Sequence, residues 1–310
     1  MPSLPNTALV VGTRGSKLAL TQTEQVCSLL REMAVAPIQL DIIESTGDRS
    51  PDSLSEIGGQ GIFTAELEHA LLDRRIDLAV HSLKDLPTEN PVGLDLIATP
   101  ARADVRDVLV TAANHSLYEL RQGAILGTGS ARRRTQLLAL RPDLRFADIR
   151  GNVDTRIRKV ESENLDGVVL AAAGLQRLSL LDHISTYLDT DELLPAPGQG
   201  ALALQMRTDD PRREWVSELN HPATWAGTVA ERRFLHGLGG GCRTPIGAWG
   251  RNISGELLLD GFVASGDGSD IRRRSSVGNP DEATKVGAAM ATDLLHSGAG
   301  DLLTSETQHS

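Results

Sequence analysis

Residues Ile76 to Pro87 read IDLAVHSLKDLP, and the fold turns on how this stretch is read. Ile76, Leu78 and Val80 recur every second residue, a period that predicts a half-buried strand. Lys84 and Asp85 follow at its end, and Pro87, with no N–H to give to a ladder, closes it. Charged side chains at the carboxyl end of a strand stand where open α/β sheets bind their ligands. A solvated turn has the same composition, so the neighbouring sequence has to decide.

Upstream, the apolar run Ala8–Val11 leads into Gly12-Thr13-Arg14-Gly15-Ser16 and then a helical pattern with Ala19, Val26, Leu29, Leu30 and Met33 near one face. Ser16 is placed to cap that helix, and the first helical N–H groups beside Arg14 would form an oxyanion site. A well-capped helix with a surface arginine reads equally well. Ile38–Ser45 alternates as a second strand. Residues 46–61, TGDRSPDSLSEIGGQG, have no periodicity and read as a binding loop or a plain surface loop. Phe63, Leu67, Ala70 and Leu71 fit a helix face.

Downstream, Leu94–Thr99 and Val108–Thr111 read as extended, and TPARADVRD (99–107) as a crossing into a second domain. From Ala124 the opening device recurs: a strand Ala124–Leu126, then Gly127-Thr128-Gly129-Ser130, then a helix through Leu137, Leu138 and Leu140. Its start carries Arg132, Arg133 and Arg134, which fan through about 200 degrees at 3.6 residues per turn and cannot all face one ligand. Cations in a first turn oppose the helix dipole, so an anion is expected nearby. The strand Leu144–Ile149 ends at Arg150, with Arg156 one helical turn into the next segment. Asp166–Ala173 reads as a buried strand before Gly174-Leu175-Gln176-Arg177, and LLPAPGQGALALQ (193–205) as the crossing back. The last part has a helix through Thr228, Arg232 and Leu235, the glycine-rich turn before Cys242, three strands, with Arg272-Arg273-Arg274 read as a solvated edge, and a helix over 282–296. Repeated strand–helix alternation predicts α/β architecture with largely parallel sheets.

Composition bounds the function. The chain has 310 residues, a net charge of −10 and 3% aromatic residues, which disfavours nonspecific nucleic-acid binding and base stacking. No apolar run approaches the roughly 20 residues that span a bilayer, and the start lacks a secretory pattern, so a cytoplasmic protein is expected. No CxxC or HExxH spacing supports a metal site. Cys27 sits in a helix's apolar pattern and reads as core. Cys242 follows three glycines, which serve either a turn or the access of a bulky group to the thiol.

The motifs TRGSKLAL, GGQGIFTAELE, DLAVHSLKDLP, GTGSARRRTQL, RPDLRFADIRGNVDTR, AAAGLQRL, LPAPGQGAL and GGGCRTPIG, in this order over nearly the whole chain, resemble the porphobilinogen deaminase (hydroxymethylbilane synthase) family. The resemblance implies two periplasmic-binding-protein-like α/β lobes and a small α+β C-terminal domain. The expected divisions are 1–99 with 200–218, then 100–199, then 219–310. It implies a monomeric transferase of tetrapyrrole (haem, porphyrin) biosynthesis that joins four porphobilinogen molecules head to tail with loss of ammonia. The product would be a linear hydroxymethylbilane, with uroporphyrinogen-III synthase as the expected downstream partner. By motif position, Cys242 would carry a dipyrromethane cofactor through a thioether and Asp85 would be the catalytic aspartate. Lys84, Thr128, Ser130, Arg132 and Arg133 would contact the cofactor; Arg14, Ser16, Arg150, Arg156 and Arg177 would contact incoming or growing pyrroles. Arginine suits such ligands because its planar fork binds both oxygens of a carboxylate. Gln60 and Glu56 stand where the family often has basic residues, and Arg134 where it often has Gln. The rival reading is a non-catalytic two-lobed carboxylate-binding protein, against which Asp85 within an anion pocket would count.

Overall fold

The computed structural model describes residues 8–33, 37–44, 64–240 and 244–304. The 46–61 loop with Glu56 and Gln60, as well as Phe63 and Cys242, lie outside these residues. The strands in chain order are β1 (Leu9–Arg14), β2 (Ile38–Ile43), β3 (Leu78–Ser82), β4 (Leu94–Ala98), β5 (Asp107–Val110), β6 (Ile125–Gly127) and β7 (Arg145–Ala147). They continue as β8 (Gly167–Ala171), β9 (Thr186–Leu188), β10 (Leu202–Arg207), β11 (Ile246–Ile253), β12 (Glu256–Ala264) and β13 (Ile271–Gly278). The chain divides into two compact units, 1–102 with 201–225 and 103–200 with 226–310.

The first unit holds a five-stranded sheet in the order β2-β1-β3-β10-β4. β1 runs parallel to β2 and β3, and β10 runs antiparallel to β3 and β4. Alternate residues serve the two faces. Leu9, Val11, Leu78 and Val80 pack with Val26, Cys27 and Leu30 of the helix Lys17–Glu32. Ala79 packs on the other face with Leu67, Ala70 and Leu71 of the helix Ala65–Leu72. β3 is therefore buried on both faces, not half-buried as its alternation predicts: Ala79 and His81 are as enclosed as Leu78. Leu29, expected on the inner face of the first helix, is exposed, and Gln22 and Thr23 are buried instead.

The second unit holds two sheets. One has five strands in the order β7-β6-β8-β5-β9, with β6 parallel to β7 and β8 and β5 antiparallel to β8 and β9. It repeats the plan of the first sheet, position by position. β5 and β10, the strands that follow the two crossings, take the same antiparallel place in their sheets. Leu109, Leu126 and Val169 face Leu137 of the helix Ala131–Leu140, while Val108, Val110 and Val168 face Val160 of the helix Val153–Ser162. The other sheet is the antiparallel meander β11-β12-β13. Its core joins Leu257, Leu259 and Val263 to Phe234 of the helix Pro222–Gly237 and to Met290 and Leu294 of the helix Ala283–Leu294. β13 is an edge strand on which Arg273 is exposed, as expected, and its guanidinium also donates to the carbonyls of Asp191 and Glu192, at 2.6 and 3.0 Å. No helix among the described residues is long and apolar enough to cross a membrane.

Candidate active site

In the first unit, β1 and β3 are parallel neighbours with Gly12 beside Ala79. Two residues further on, β1 reaches Arg14 and β3 reaches His81, and the charge of Arg14 helps to depress the His81 pKa. Past that point β1 turns into Ser16, whose Oγ accepts from the Ala19 N–H at 3.3 Å and caps the helix. β3 turns into a short 3-10 segment, Leu83–Asp85. Leu83 is its buried anchor, its N–H donating to the Ala201 carbonyl at 3.0 Å. Lys84 is half-buried and Asp85 is exposed. Arg14, Ser16, Lys84 and Asp85 thus leave the same, carboxyl edge of one sheet. His81 itself is fully enclosed, its Nε2 3.1 Å from Gln205 Oε1. Burial pushes its pKa down to about 4, so it is neutral at pH 7.

In the second unit the same geometry is repeated at β6. Thr128 is buried, and Ser130 Oγ accepts from the Arg133 N–H at 3.4 Å to cap the helix Ala131–Leu140. The anion that the arginine run demands is a residue of the chain itself. Asp107, on the same face of β5 as Leu109, receives Arg132 Nη2 and Arg133 Nη2, each at 2.7 Å. Arg132 Nη1 donates to the Leu194 carbonyl at 2.6 Å, and Arg133 Nη1 to that of Val169 at 2.8 Å. All three side chains are buried, and the paired guanidinium charges hold the Asp107 carboxyl far below its ordinary range against the cost of desolvation. The Nε–H groups of Arg132 and Arg133 are buried without a hydrogen-bond partner among the described residues. Arg134 points outward and is exposed.

The remaining arginines follow β7 and β8: Arg150 in the turn after β7, Arg156 within the helix Val153–Ser162 and Arg177 at the end of the helix Ala172–Arg177. Arg150 is exposed, 3.5 Å from Asp148 Oδ2. Arg156 Nε donates to the Gly151 carbonyl at 2.8 Å. Arg177 Nη2 donates to the Gly200 carbonyl at 2.9 Å, and burial alone lowers its pKa to about 10. Sequence reading missed Asp107 and Gln199, whose Nε2 donates to Asp107 Oδ1 at 2.9 Å. The available signal was an acid opening the apolar run DVLV, where an unpaired carboxylate would be costly. It also missed Glu231, a fully buried carboxylate that accepts from the N–H groups of Gly198 and Gly250, at 2.6 and 2.7 Å.

Two sheets of one plan, each with a serine-capped helix start at its carboxyl edge, define a two-lobed α/β protein. Residues 9–214 match the family model described as porphobilinogen deaminase, dipyromethane cofactor binding domain, and residues 225–296 match the C-terminal domain of the same family. Curated relatives named porphobilinogen deaminase include those of Syntrophomonas wolfei (46% identical, covering 95% of this chain and 97% of the relative) and Thermus thermophilus (46%, 95% and 98%). That of Deinococcus radiodurans is 45% identical over 95% of this chain and 97% of its own length. The chain belongs to the porphobilinogen deaminase family. It is a transferase of tetrapyrrole biosynthesis: porphobilinogen is its substrate, dipyrromethane its cofactor, and hydroxymethylbilane its product. The non-catalytic reading is not favoured.

The residues present fit the cofactor. Every pyrrole of this series bears an acetate and a propionate. Two buried guanidinium groups sharing one acid leave a unit of positive charge and two orphaned Nε–H donors, which suit a carboxylate.

Proposed function

We propose that Asp85 is the catalytic carboxylate and that Cys242 carries the dipyrromethane through a thioether. In this reading Lys84, Thr128, Ser130, Arg132 and Arg133 hold the cofactor, and Arg14, Ser16, Arg150, Arg156 and Arg177 hold the substrate side chains. The supporting observation is the exposed Asp85, leaving the central strand β3 at the edge where the adjacent β1 delivers Arg14. An exposed acid beside cations is poorly suited to binding an anion and well suited to a developing positive charge.

The cofactor, when bound, supplies the pyrrole to which the first substrate is joined. Loss of ammonia leaves positive charge on the substrate pyrrole, spread towards its ring N–H. The Asp85 carboxylate accepts that N–H and stabilises the charge. In this reading it also moves a proton at the leaving amine. The arginines neutralise the carboxylates that accumulate as the chain lengthens, and Lys84 beside Asp85 adds to that positive charge.

The further reading is a monomeric, cytoplasmic protein of three domains, divided as 1–99 with 200–218, 100–199 and 219–310, that hands its product to uroporphyrinogen-III synthase. Separate hydrophobic cores under the three sheets support the division. Intact mass tests the cofactor assignment: wild type is expected to carry a two-pyrrole increment that Cys242→Ser lacks. An increment of the same size on Cys242→Ser would rule that thiol out.

A further inference from the structure

Asp107 is a carboxylate with no freedom left. Its Oδ2 accepts from Arg132 and its Oδ1 from both Arg133 and Gln199, whose Nε2 also donates to the Val105 carbonyl at 2.7 Å. Leu194 and Val169 anchor the other ends of the two guanidinium groups through their carbonyls. Both forks are therefore fixed in plane and direction by neighbours that are themselves buried. Without an acid, two guanidinium groups enclosed side by side would repel and turn apart. With two acids the cluster would be neutral and would attract nothing. One acid between two arginines both fixes the forks and leaves positive charge to spend on a ligand.

We propose that Asp107, braced by Gln199, is a positioning residue: it presets Arg132 and Arg133 so that their surplus charge and orphaned Nε–H groups receive one carboxylate of the dipyrromethane. Asp107 touches neither cofactor nor substrate. The inference rests on the reading of Arg132 and Arg133 as cofactor contacts, and the experiment separates the two.

Cofactor-free protein is incubated with porphobilinogen, the two-pyrrole mass increment is followed over time, and Tm is read before and after loading. Asp107→Asn makes the cluster more positive, so a pure charge effect would speed loading. Lost positioning is expected to slow it by at least about tenfold and to shrink the rise in Tm on loading. Gln199→Glu adds a second acid and is expected to slow loading by a similar factor in a protein that still melts cooperatively. Folded Asp107→Asn that loads at the wild-type rate or faster overturns the proposal. If Asp107→Asn does not fold, wild-type loading of Gln199→Glu overturns it. Arg133→Met identifies what failed. Normal loading of that variant refutes the arginine contacts themselves. Lost loading there, beside normal loading of Asp107→Asn, refutes only the role of Asp107.

Discussion

A methyl group on Gly227 would stand 2.4 Å from the Gly250 carbonyl oxygen, so the helix Pro222–Gly237 and β11 meet backbone to backbone at these two residues. That approach is what lets Glu231, one turn further along the helix, reach the Gly250 N–H. Gly227→Ala must push helix and strand apart, because the obstructing atom belongs to the main chain. The expected loss is about 1–3 kcal/mol, read as a lower midpoint in urea unfolding. An unchanged midpoint would show that the contact yields freely.

Glu231→Gln keeps the volume but leaves one carbonyl oxygen where two N–H groups, of Gly198 and Gly250, now donate to a carboxylate. Its amide would face one of those N–H groups donor to donor. About 1–3 kcal/mol should be lost, again by urea unfolding.

His81 gives the protein an acid-sensitive element. Its folded pKa is about 4, against 6.5 for the free side chain, because burial disfavours the charged ring. The unfolded chain thus binds the extra proton between those values, and stability falls as pH drops through that window. His81→Asn keeps a donor for Gln205 and removes the titration. Its Tm should be lower at pH 7 but flatter between pH 6.5 and 4 than that of wild type. Parallel Tm curves would contradict this.

Arg177 is a largely enclosed cation whose hydrogen bond, among the described residues, goes to a carbonyl and not to an acid. Replacing such a group by an apolar one of similar length costs little stability. Arg177→Met is therefore expected to keep its Tm and to raise KM for porphobilinogen by about tenfold or more, with a smaller change in kcat. A fall in kcat alone would place Arg177 elsewhere in the reaction.

Asp85 is exposed, so Asp85→Asn should melt like wild type. Turnover, followed as ammonia release, should drop by at least about a hundredfold. A variant within a few-fold of wild type would remove Asp85 from the chemistry.

Local patterns carried much of this structure. The strand ends bearing Arg14, Lys84 and Asp85, the two serine caps at Ser16 and Ser130, and the crossings near 103 and 200 all follow from residues close in sequence. What escaped depends on partners far along the chain. The arginine run announced that an anion was needed, but Asp107 lies 25 residues before Arg132, and only the pairing of β5 with β8 brings it under the helix. β3 looked half-buried because Ala79 and His81 are weak apolar signals, and their burial comes from a second layer of helix. The three-residue edge strand β9 is too short for periodicity to reveal. Arg273 is exposed on its edge strand as read, but its main-chain acceptors at Asp191 and Glu192 are partners that composition never displays.

The place of β10 has a consequence for how the protein is made. Among the described residues β4 pairs with β10 alone, and β10 also closes the open side of β3. A nascent chain that has emerged only as far as residue 200 holds β1 to β4 without the strand that joins the last of them to the rest. This sheet therefore stays unfinished, with exposed ladder groups, until the ribosome has delivered Leu202–Arg207. Chaperone dependence and premature-stop fragments should both reflect that delay.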